Sequence, residues 1–508
     1  MKKIIILLYL VITISIAFNS YKDYGISWDE GMQRRTAQIN FDYVFKGSKE
    51  LKTWVDRDYG VVFELPLYVL EKIFKWEKPN GDERNVFINR HIITHLFYII
   101  GGVFLFLLVS QLFNSKMYGI LSLFLYILNP RIYAHSFINT KDIPFMVMFI
   151  VCFYVFLKFI NNRNFKNIFL LAIASALLVN LRILGIIFPV GISIYLLIFD
   201  FLDTKSFKLK TTFKHISVFL GFTVLFIYVF WPNLWSNPVN NFIESFQNMA
   251  KFRHDTLELT FGEMIKASKD KSYFFKWFYA TNPFLYLILG TFGLLFLLIS
   301  IIKTKFIFLQ EKQNRYIALI CSFFVFPLTI IVLRNTVLYN GWRQLFFLYP
   351  SFIILILFCL FSFKKKKYHN YIVAFLSLYF VFILFNLKKI HPYGTVYFNE
   401  LISSKKDYRA KNFEFDYWGH SYKEALEEIV AKNNSKEIVI AFSEKIGYVN
   451  RKILPFKDRN RILFTDDLKE ADYFISNFYI DDIKFKESQR IFKVKRNNSS
   501  VISIFKLK

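Results

Sequence analysis

The amino-acid sequence predicts a mainly α-helical, polytopic membrane bundle that carries a small α/β domain at its C-terminal end. Hydrophobic residues make up 55% of the 508 residues, Phe alone accounts for 64, and the mean hydropathy is +0.34. Runs of about 20 apolar residues, the length that crosses a bilayer as a helix, recur along the chain. Residues 388–508 instead have the mixed composition of a small soluble domain.

About eleven apolar segments are predicted to span the membrane. The first is interpreted as an uncleaved anchor; because small residues stand at Ser15 and Ala17, cleavage as a secretory signal is the alternative. The predicted spans cover residues 4–18, 92–112, 117–134, 143–160, 166–181, 183–200, 215–232, 282–302, 316–333, 344–363 and 370–387.

Positive charge alternates between the connections. Lys2 and Lys3 precede the first apolar run, which predicts a cytoplasmic N-terminus. Every second connection is basic, as expected for loops on the cytoplasmic side. The pattern predicts a multi-pass membrane protein whose C-terminal domain lies on the outer side. The basic connections carry Lys158, Arg163 and Lys166; Lys205, Lys208, Lys210 and Lys214; Lys303, Lys305, Lys312 and Arg315; and Lys364 to Lys367.

The net charge of +27 is explained in part by the basic cytoplasmic connections, which are attracted to anionic lipid headgroups. A nucleic-acid-binding protein would carry a soluble basic domain with aromatic or motif context, which the sequence lacks. The three cysteines fall inside apolar spans, which argues against a disulfide framework and against a thiolate metal site. Membrane lipids are therefore predicted partners, and nucleic acid is not.

Polar segments divide the chain into two predicted domains. Residues 1–387 form a transmembrane domain with outer loops at 19–90 and 233–281, and residues 388–508 form an extracytoplasmic α/β domain. The loop 233–281 mixes Trp and Phe with charged residues, which is typical of short amphipathic helices in the membrane interface. A solvated loop with aromatic anchors is the alternative.

The C-terminal domain shows both helix and strand patterns, without a Gly-rich phosphate loop or a nucleophile motif. A helix is predicted over 421–432, with Ser421 as its cap and Glu424 three residues later. Apolar runs and a turn-rich separator predict strands and a final hairpin. The predicted strands are 437–442 and 471–475, followed by the hairpin of 490–496 and 501–506.

Two acidic residues, Asp29 and Glu30, open the first outer loop just beyond the first span. A carboxylate at this position suits deprotonation of a hydroxyl, binding of a metal or capping of a helix. The pair alone leaves these three roles open, and residues elsewhere in the sequence are needed to distinguish them.

Basic residues also stand at the outer ends of the spans, where the charge bias disfavours them. Ionisable groups at membrane depth are costly and mark functional paths. A cluster of cations near the outer interface suits a lipid phosphate, and the carboxylates of Asp29 and Asp142 beside it suit a hydroxyl nucleophile or a metal. The residues concerned are Arg131, Lys141, Arg182, Arg334 and Arg343, with His135 among them.

Each of these side chains also has a purely structural interpretation. An arginine at the end of a span can snorkel toward the headgroups. Asp142, directly before an Ile-Pro pair, can cap a helix that has proline in its first turn. Glu30 fits a positioning or charge partner, His135 fits an interfacial histidine with satisfied hydrogen bonds, and Glu64 fits an ordinary loop residue.

Three local patterns carry a family resemblance. The Asp29-Glu30 pair begins the first outer loop, residues 139–144 read Asn-Thr-Lys-Asp-Ile-Pro, and residues 339–350 run from Tyr-Asn-Gly-Trp-Arg-Gln to Phe-Phe-Leu-Tyr-Pro. In this order and on a shared outer face, they resemble the membrane-embedded glycosyltransferases of the GT-C type, especially the protein O-mannosyltransferase-like branch. The chain also resembles bacterial members that have an outer C-terminal domain, which implies a location in the bacterial cytoplasmic (inner) membrane. The segments that carry this likeness are 391–393, 397–401 and 416–419.

The resemblance implies a glycosyltransferase that takes a monosaccharide from a polyprenyl-phosphate-linked donor to a hydroxyl on a glycan, lipid or protein acceptor. It implies that Asp29 is the general base and that Asp142 lies near the donor phosphate. Guanidinium groups match phosphate bidentately, so Arg343 and Arg182 are expected to bind it. The predicted catalytic residues are therefore Asp29, Glu30 and Asp142. The predicted phosphate-binding residues are Arg343, Arg182, Lys141 and Arg131, and the supporting residues are His135, Tyr339 and Trp342.

Lys141 marks a departure from family members that have a paired acidic motif before Asp142. Since this lysine can neutralise phosphate by itself, no obligatory cofactor or metal is predicted, and a divalent metal is the alternative. A flippase, transporter or polymerase of lipid-linked glycans is the rival function. It is disfavoured because the charged residues gather at one face and the spans are nearly free of ionisable groups.

Overall fold

The protein is mainly α-helical, and the computed structural model describes residues 1–204, 209–250, 256–334, 336–477, 485–496 and 498–508. Lys205, Lys208 and Phe252, which were assigned to a basic connection and to the second outer loop, lie outside these residues. The helices are α1 (Lys2–Ser20), α2 (Trp28–Lys46), α3 (Glu64–Ile73), α4 (Arg84–Leu112), α5 (Lys116–Ile127), α6 (Pro130–Ile138), α7 (Asp142–Asn161), α8 (Phe165–Leu181), α9 (Ile187–Thr204), α10 (Leu209–Phe230), α11 (Pro238–Ala250), α12 (Tyr273–Thr281), α13 (Phe284–Lys303), α14 (Lys312–Arg334), α15 (Tyr349–Ser362), α16 (His369–Ile390), α17 (Tyr408–Asn412), α18 (Tyr422–Lys432), α19 (Ile446–Asn450) and α20 (Phe456–Arg459).

Within the described parts of the chain, nine helical segments are long and apolar enough to cross a membrane. They correspond to α1, α4, α7, α9, α10, α13, α14, α15 and α16, and they coincide with nine of the predicted spans. The other two predicted spans correspond to α5 and α8, which are apolar but only 12 and 17 residues long. The chain is an integral membrane protein.

The prediction of a single span over 117–134 is wrong. Helix α5 ends at Ile127, and α6 begins at Pro130, whose ring opposes continuation of a helix but fits its first position. Asn129 caps α6, because its Oδ1 accepts a hydrogen bond from the Ile132 N–H at 3.2 Å. At about 1.5 Å per residue α5 rises about 18 Å, well short of a hydrocarbon core of about 30 Å.

Helix α15 forms the centre of the bundle. Every residue from Tyr349 to Leu360 is buried, and the helix packs against α5, α7, α13 and α14. Such a helix is apolar on all sides because all sides face other helices. Helices α1 and α16 lie at the periphery and expose large apolar side chains such as Leu8 and Phe385, as expected for surfaces that contact lipid.

In the segment 19–90, the predicted first outer loop, α2 and α3 pack against each other. The guanidinium of Arg34 on α2 joins three carboxylates: it pairs with Glu71 at 2.6 Å, with Glu77 at 2.7 Å and with Glu83. These residues belong to α2, to α3 and to the connection into α4, so the ion pairs fix the course of the loop between α1 and α4.

The second outer loop contains the predicted short helices, α11 and α12, and also a hairpin that the sequence pattern did not reveal. Its strands are β1 (Leu257–Thr260) and β2 (Glu263–Lys266), paired antiparallel. On α11, the exposed apolar side chains of Val239, Ile243 and Phe246 are spaced four and three residues apart, so they share one face of the helix.

The C-terminal domain contains a five-stranded sheet of order β4-β3-β5-β7-β6. The strands β3, β4 and β5 are parallel, and β5, β7 and β6 pair antiparallel. The predicted helix, both predicted strands and the final hairpin are confirmed as α18, β3, β5 and β6–β7. The strands are β3 (Ile438–Phe442), β4 (Ile462–Phe464), β5 (Tyr473–Ser476), β6 (Arg490–Arg496) and β7 (Ser499–Lys506).

The expected capping of α18 by the side chain of Ser421 is wrong. Ser421 stands at the cap position, but its hydroxyl donates to the Asp416 carboxylate, and Glu424 accepts a hydrogen bond from the Tyr393 hydroxyl. The partners of these two side chains, Asp416 and Tyr393, both lie outside the helix, so Ser421 and Glu424 fix α18 to the segment that leads out of α16.

Asn450 at the end of α19 joins the C-terminal domain to the first outer loop. Its Nδ2 donates to the carbonyl oxygen of Ile26 at 2.9 Å, and its Oδ1 accepts from the Ile26 N–H at 2.9 Å. The same Nδ2 lies 3.1 Å from the carbonyl oxygens of Gly419 and Ile446. Ile26 leads directly into α2, so this contact helps to fix the start of that helix. The domain boundary at 387/388 stays a prediction.

Candidate active site

Asp29 lies in the first turn of α2, where the positive end of the helix dipole favours a carboxylate. Its side chain is 39% exposed, and its Oδ2 accepts a hydrogen bond from Nη1 of Arg343 at 3.2 Å. The carboxylate is therefore held in place by one cation, yet it remains accessible to a molecule outside the protein.

Glu30 has a different environment from its neighbour. Its side chain is 1% exposed; Oε2 accepts from the N–H of Ser27 at 2.7 Å, and Oε1 lies 2.9 Å from Nε2 of His91. Ser27 is the N-cap of α2, so Glu30 supplies the reciprocal contact of a capping box. The Ser-x-x-Glu spacing indicates this role in the sequence, and helix capping was one of the three roles left open for the acidic pair.

Asp142 is the first residue of α7 and is 1% exposed. Asn139 holds it from the preceding turn: the amide Oδ1 accepts from the Asp142 N–H at 2.8 Å, and the amide Nδ2 donates to Oδ2 at 2.9 Å. The carboxylate also pairs with Arg182 through Oδ1 and with Arg343 through Oδ2, the latter at 3.2 Å. Asp142 thus joins two guanidinium groups, and the capping contact at this helix start comes from Asn139.

Arg343 is 4% exposed and lies between two aromatic rings. Its guanidinium carbon is 4.8 Å from the centroid of the Tyr339 ring and 5.2 Å from that of Trp418, distances typical of cation–π contacts. The same Nη1 atom contacts both Asp29 and Asp142 at 3.2 Å. One side chain therefore connects the first outer loop, the start of α7 and the C-terminal domain.

A tight turn places Arg343. Asn340 and Gly341 both have positive φ angles, 53° and 75°, which is unfavourable for most side chains and least so for glycine and asparagine. The Asn340 N–H donates to the Glu258 carboxylate at 2.9 Å, and the Gly341 N–H donates to the Tyr273 hydroxyl at 2.9 Å. The hairpin and α12 thereby anchor the turn.

Arg182 and Lys141 complete the group of cations. Burial lowers the pKa of Arg182, but the charges of Asp142 and Tyr59 outweigh it, and the net direction is upward. Burial and the nearby Arg182 lower the pKa of Lys141 to about 8, against the opposing effect of Asp29, Asp56 and Asp142. The Lys141 Nζ also lies 3.4 Å from the centroid of the Tyr59 ring. Lys141 is thus the one member of this group that titrates near neutral pH.

Arg131 has other neighbours. It is 1% exposed, donates to the carbonyl oxygen of Tyr397 at 3.3 Å, and has its guanidinium 5.4 Å from the ring centroids of Trp277 and Phe398. These contacts tie α6 to α12 and to the segment after α16. Of the four predicted phosphate-binding cations, the structure brings Arg343, Arg182 and Lys141 together around Asp142 and gives Arg131 a separate set of contacts.

His135 belongs to a chain of hydrogen bonds that ends at Asp142. Its Nε2 lies 3.0 Å from the Tyr417 hydroxyl, and its Nδ1 lies 3.2 Å from Nδ2 of Asn139, which also donates to Asp142. Burial, followed by the charges of Arg131 and Arg343, holds the pKa of His135 well below its usual range, so the ring is neutral. Because the Asn139 amide donates to Nδ1, the proton of the ring is on Nε2.

The remaining predicted residues divide into two groups. Tyr339 lies against Arg343, as described. Trp342 is fully buried, and its Nε1 donates to the Thr281 hydroxyl at 2.9 Å, so it anchors the turn to α12. Arg334, at the exposed end of α14, has no contact with the carboxylates among the residues described.

Sequence reasoning missed several residues of this site. Tyr59 and Trp418 supply the ring faces for Lys141 and Arg343, and Asn139 orients Asp142. Glu64 is more than an ordinary loop residue, because it pairs with the buried Arg90 and accepts a hydrogen bond from the Thr140 hydroxyl beside Lys141. These residues all lie in segments with recognisable motifs, but nothing local in the sequence indicates which cation each would contact.

The site combines the carboxylates of Asp29 and Asp142 with the cations Arg182, Arg343 and Lys141, and Asp56 also acts on Lys141. Such a group can hold a phosphate while a carboxylate accepts a proton. In the parts of the chain that the structure describes, no group of three or more His, Cys, Asp or Glu side chains is arranged to hold a metal ion.

Comparisons with known proteins identify a family for part of the chain. Residues 87–234 match the family described as dolichyl-phosphate-mannose-protein mannosyltransferase. No curated protein matches the sequence. Among solved structures, ArnT from Cupriavidus metallidurans bound to undecaprenyl phosphate has a TM-score of 0.47 and 10% identity, over 98% of this chain and 97% of that one.

The apo structure of the same ArnT has a TM-score of 0.46 and 11% identity, over 98% of this chain and 97% of that one. The family match, which includes Arg131, Lys141, Asp142 and Arg182, agrees with the resemblance found in the sequence. Over residues 87–234, the chain is similar to this family of membrane mannosyltransferases, in agreement with a GT-C type, mannosyltransferase-like protein.

Proposed function

We propose that the protein transfers a monosaccharide from a polyprenyl-phosphate-linked donor to a hydroxyl acceptor at the extracytoplasmic face of the bacterial inner membrane. The observation that carries the proposal is the position of Arg343, whose Nη1 lies 3.2 Å from the carboxylates of both Asp29 and Asp142. In this proposal, one guanidinium connects the group that accepts the proton with the group that orders the phosphate site.

Asp29 is the proposed general base. Its carboxylate is 39% exposed and contacts one cation, whereas the Asp142 carboxylate is 1% exposed and contacts two. An acceptor hydroxyl can therefore approach Asp29 but not Asp142. A carboxylate in this role contributes about 10²–10⁴-fold to the rate. Glu30, which is engaged by Ser27 and His91, is proposed as a positioning residue for Asp29.

Arg182, Arg343 and Lys141 are the proposed phosphate-binding residues. The Nε atoms of Arg182 and Arg343 are buried and have no hydrogen-bond partner among the described residues, so each guanidinium retains a donor for a phosphate oxygen. Negative charge develops on the phosphate as it leaves the sugar, and fixed cations in a site shielded from water stabilise this charge strongly. Arg131 is proposed to fix the segment after α16 instead.

The proposed reaction is a single displacement. The acceptor oxygen forms a bond to the anomeric carbon, the bond between that carbon and the phosphate oxygen breaks, and the hydroxyl proton passes to Asp29. The products are a glycosylated acceptor and the polyprenyl phosphate, and the anomeric configuration is inverted. The lipid-phosphate donor is supported by the description of the matched family and by the cluster of three cations at the site.

The test is transfer by the purified full-length protein in detergent, with a labelled sugar on a polyprenyl phosphate. The proposal predicts release of polyprenyl phosphate together with a labelled acceptor, and loss of both in Asp29→Asn. The matched control is Asp42→Asn on the same helix, which removes only an ion pair with Lys46 and should leave transfer unchanged. Movement of intact donor across a bilayer without cleavage would overturn the proposal in favour of a flippase.

A further inference from the structure

A polar cavity lies at the end of the bundle opposite the candidate active site. It has a volume of about 280 Å³ and lies between the C-terminal ends of α7 and α9 and the N-terminal end of α14. Helix α7 runs from Asp142 to Asn161, so at about 1.5 Å per residue the cavity is about 30 Å from the candidate active site. The charge bias predicts that this end faces the cytoplasm.

The charged side chains that line the cavity are three cations and one carboxylate, Arg163, Lys312, Arg315 and Asp200. Asp200 is held by both guanidinium nitrogens of Arg163, at 2.5 and 2.6 Å, and by the Thr212 hydroxyl at 2.7 Å. Arg315 is 4% exposed and has its guanidinium 4.9 Å from the centroid of the Phe199 ring. The lining is thus cationic, and its deepest cation is fixed in place by packing.

The position of these cations in α14 is itself informative. Lys312 and Arg315 lie in the first turn of the helix, and Glu311 directly before it accepts a hydrogen bond from the Asn314 amide at 2.9 Å. A helix N-terminus carries partial positive charge, so cations there oppose the dipole, whereas an anion bound at the same place is favoured by both. Two cations stand against the single carboxylate of Glu311, so the start of α14 keeps an excess of positive charge that favours a bound anion.

The size of the cavity limits the ligand. Sites for drug-sized molecules measure about 300–1,000 Å³. A cavity of about 280 Å³ accommodates a phosphate with its glycerol, while the hydrocarbon chains of a lipid would remain outside. Tyr195 and Tyr316 add phenol groups to the lining, next to apolar helix surfaces that would contact acyl chains. Basic pockets between spanning helices at the cytoplasmic side suit anionic lipid headgroups.

We propose that this cavity binds the phosphate of an anionic phospholipid headgroup from the leaflet opposite the candidate active site. The bound lipid joins the ends of α7, α9 and α14, and this role is independent of sugar transfer. Lys312 is exposed and meets the headgroup at the entrance, and Arg315 contacts the phosphate inside.

The experiment measures binding of a short-chain phosphatidylglycerol to the full-length protein in phosphatidylcholine nanodiscs, by thermal stability or native mass spectrometry. Lys312→Gln should weaken binding about fivefold, since one Lys near an anionic surface contributes on that order. The matched control is Lys366→Gln, an exposed lysine on the same side but outside the cavity, which should bind as the wild type does. Arg315→Gln should weaken binding about tenfold.

Equal affinity of the wild type and Lys312→Gln would overturn the proposal, even if Arg315→Gln fails to fold. Inorganic phosphate is tested alone as the second probe. If it stabilises the protein as well as phosphatidylglycerol does, and Lys312→Gln abolishes both effects, the ligand is a free phosphate and the lipid assignment is wrong.

Discussion

The guanidinium of Arg343 lies 3.2 Å from the carboxylate of Asp29, although 314 positions separate the two residues in the chain. The contact depends on two separate local structures. The capping box at Ser27 and Glu30 fixes the start of α2, and the turn at Asn340 and Gly341 directs Arg343 toward it. The candidate site therefore exists only when the first outer loop and the segment before α15 are both folded.

The first prediction concerns the proposed base. Asp29→Asn should lower kcat/KM for sugar transfer by about 10²–10⁴-fold, because the amide cannot accept the acceptor proton. The melting temperature should stay close to that of the wild type, since the side chain is partly exposed and Arg343 keeps Asp142 as its buried partner. Initial rates and thermal unfolding measure the two effects. Transfer at the wild-type rate would remove Asp29 as the base.

Glu30, the neighbouring carboxylate, should affect stability instead of chemistry. Glu30→Ala removes the acceptor of the Ser27 N–H and the partner of His91, which should lower the free energy of unfolding by about 1–3 kcal/mol. Glu30→Gln keeps a side-chain oxygen for Ser27 and should recover part of the loss. A Glu30→Ala protein that melts like the wild type but has no activity would instead make Glu30 catalytic.

Asp142 should be needed for the fold of the site. Asp142→Asn leaves the buried Arg343 and the partly buried Arg182 without their shared countercharge, so we expect a loss of about 3–5 kcal/mol in the free energy of unfolding.

A double-mutant cycle with Arg182→Gln provides the control for this prediction. The loss in Asp142→Asn/Arg182→Gln should be smaller than the sum of the two single losses, because the pair is removed together. Additive losses would show that the two side chains do not stabilise each other.

The lowered pKa of Lys141 predicts that sugar transfer depends on pH. With a pKa of about 8, the ammonium that attracts the donor phosphate is present below pH 8 and is lost above it. We expect kcat/KM for the donor to fall between pH 7 and pH 9 with a midpoint near 8. Lys141→Arg, which stays charged throughout, should remove this fall. The same midpoint in both proteins would exclude Lys141 as the titrating group.

The stability contribution of Lys141 has the opposite sign. The pKa of this lysine is lowered from 10.5 on folding, so between about pH 8 and pH 10.5 the unfolded chain binds more protons than the folded one. Its contribution to the free energy of unfolding therefore rises with pH across this window. The difference between wild type and Lys141→Gln in thermal unfolding at pH 7.5 and pH 10 measures the effect.

Asn450 should couple the C-terminal domain to the active site. Asn450→Ala removes hydrogen bonds to both backbone groups of Ile26, which should lower the free energy of unfolding by about 2–4 kcal/mol. It should also lower kcat, because the start of α2 becomes less well fixed. The control is Asn460→Ala at an exposed turn, which should change neither value. A stable Asn450→Ala protein with normal kcat would argue against this coupling.

Local patterns predicted the helices and strands well, because hydropathy and turn residues act over a few positions. The exception at 117–134 is instructive: Asn129 and Pro130 are a helix-start signal inside an apolar run, and the run alone suggested continuity. The capping box at Ser27 and Glu30 was equally readable from the sequence.

Local sequence patterns could not predict which side chains contact one another in the candidate site. Arg131 and Arg182 both stand at predicted span ends, yet only Arg182 pairs with Asp142, because the break before α6 gives Arg131 different neighbours. Likewise, Trp418 lies against Arg343 only because the C-terminal domain packs on the first outer loop. Such pairings depend on how distant segments meet, which no spacing in one sequence encodes.

The most direct measurement of the central claim is a structure of the protein with a non-cleavable phosphonate analogue of a polyprenyl-phosphate sugar. The account predicts that the phosphonate contacts Arg182 and Arg343 and that the anomeric carbon faces Asp29. A phosphonate bound away from both arginines, or an anomeric carbon out of reach of Asp29, would contradict it.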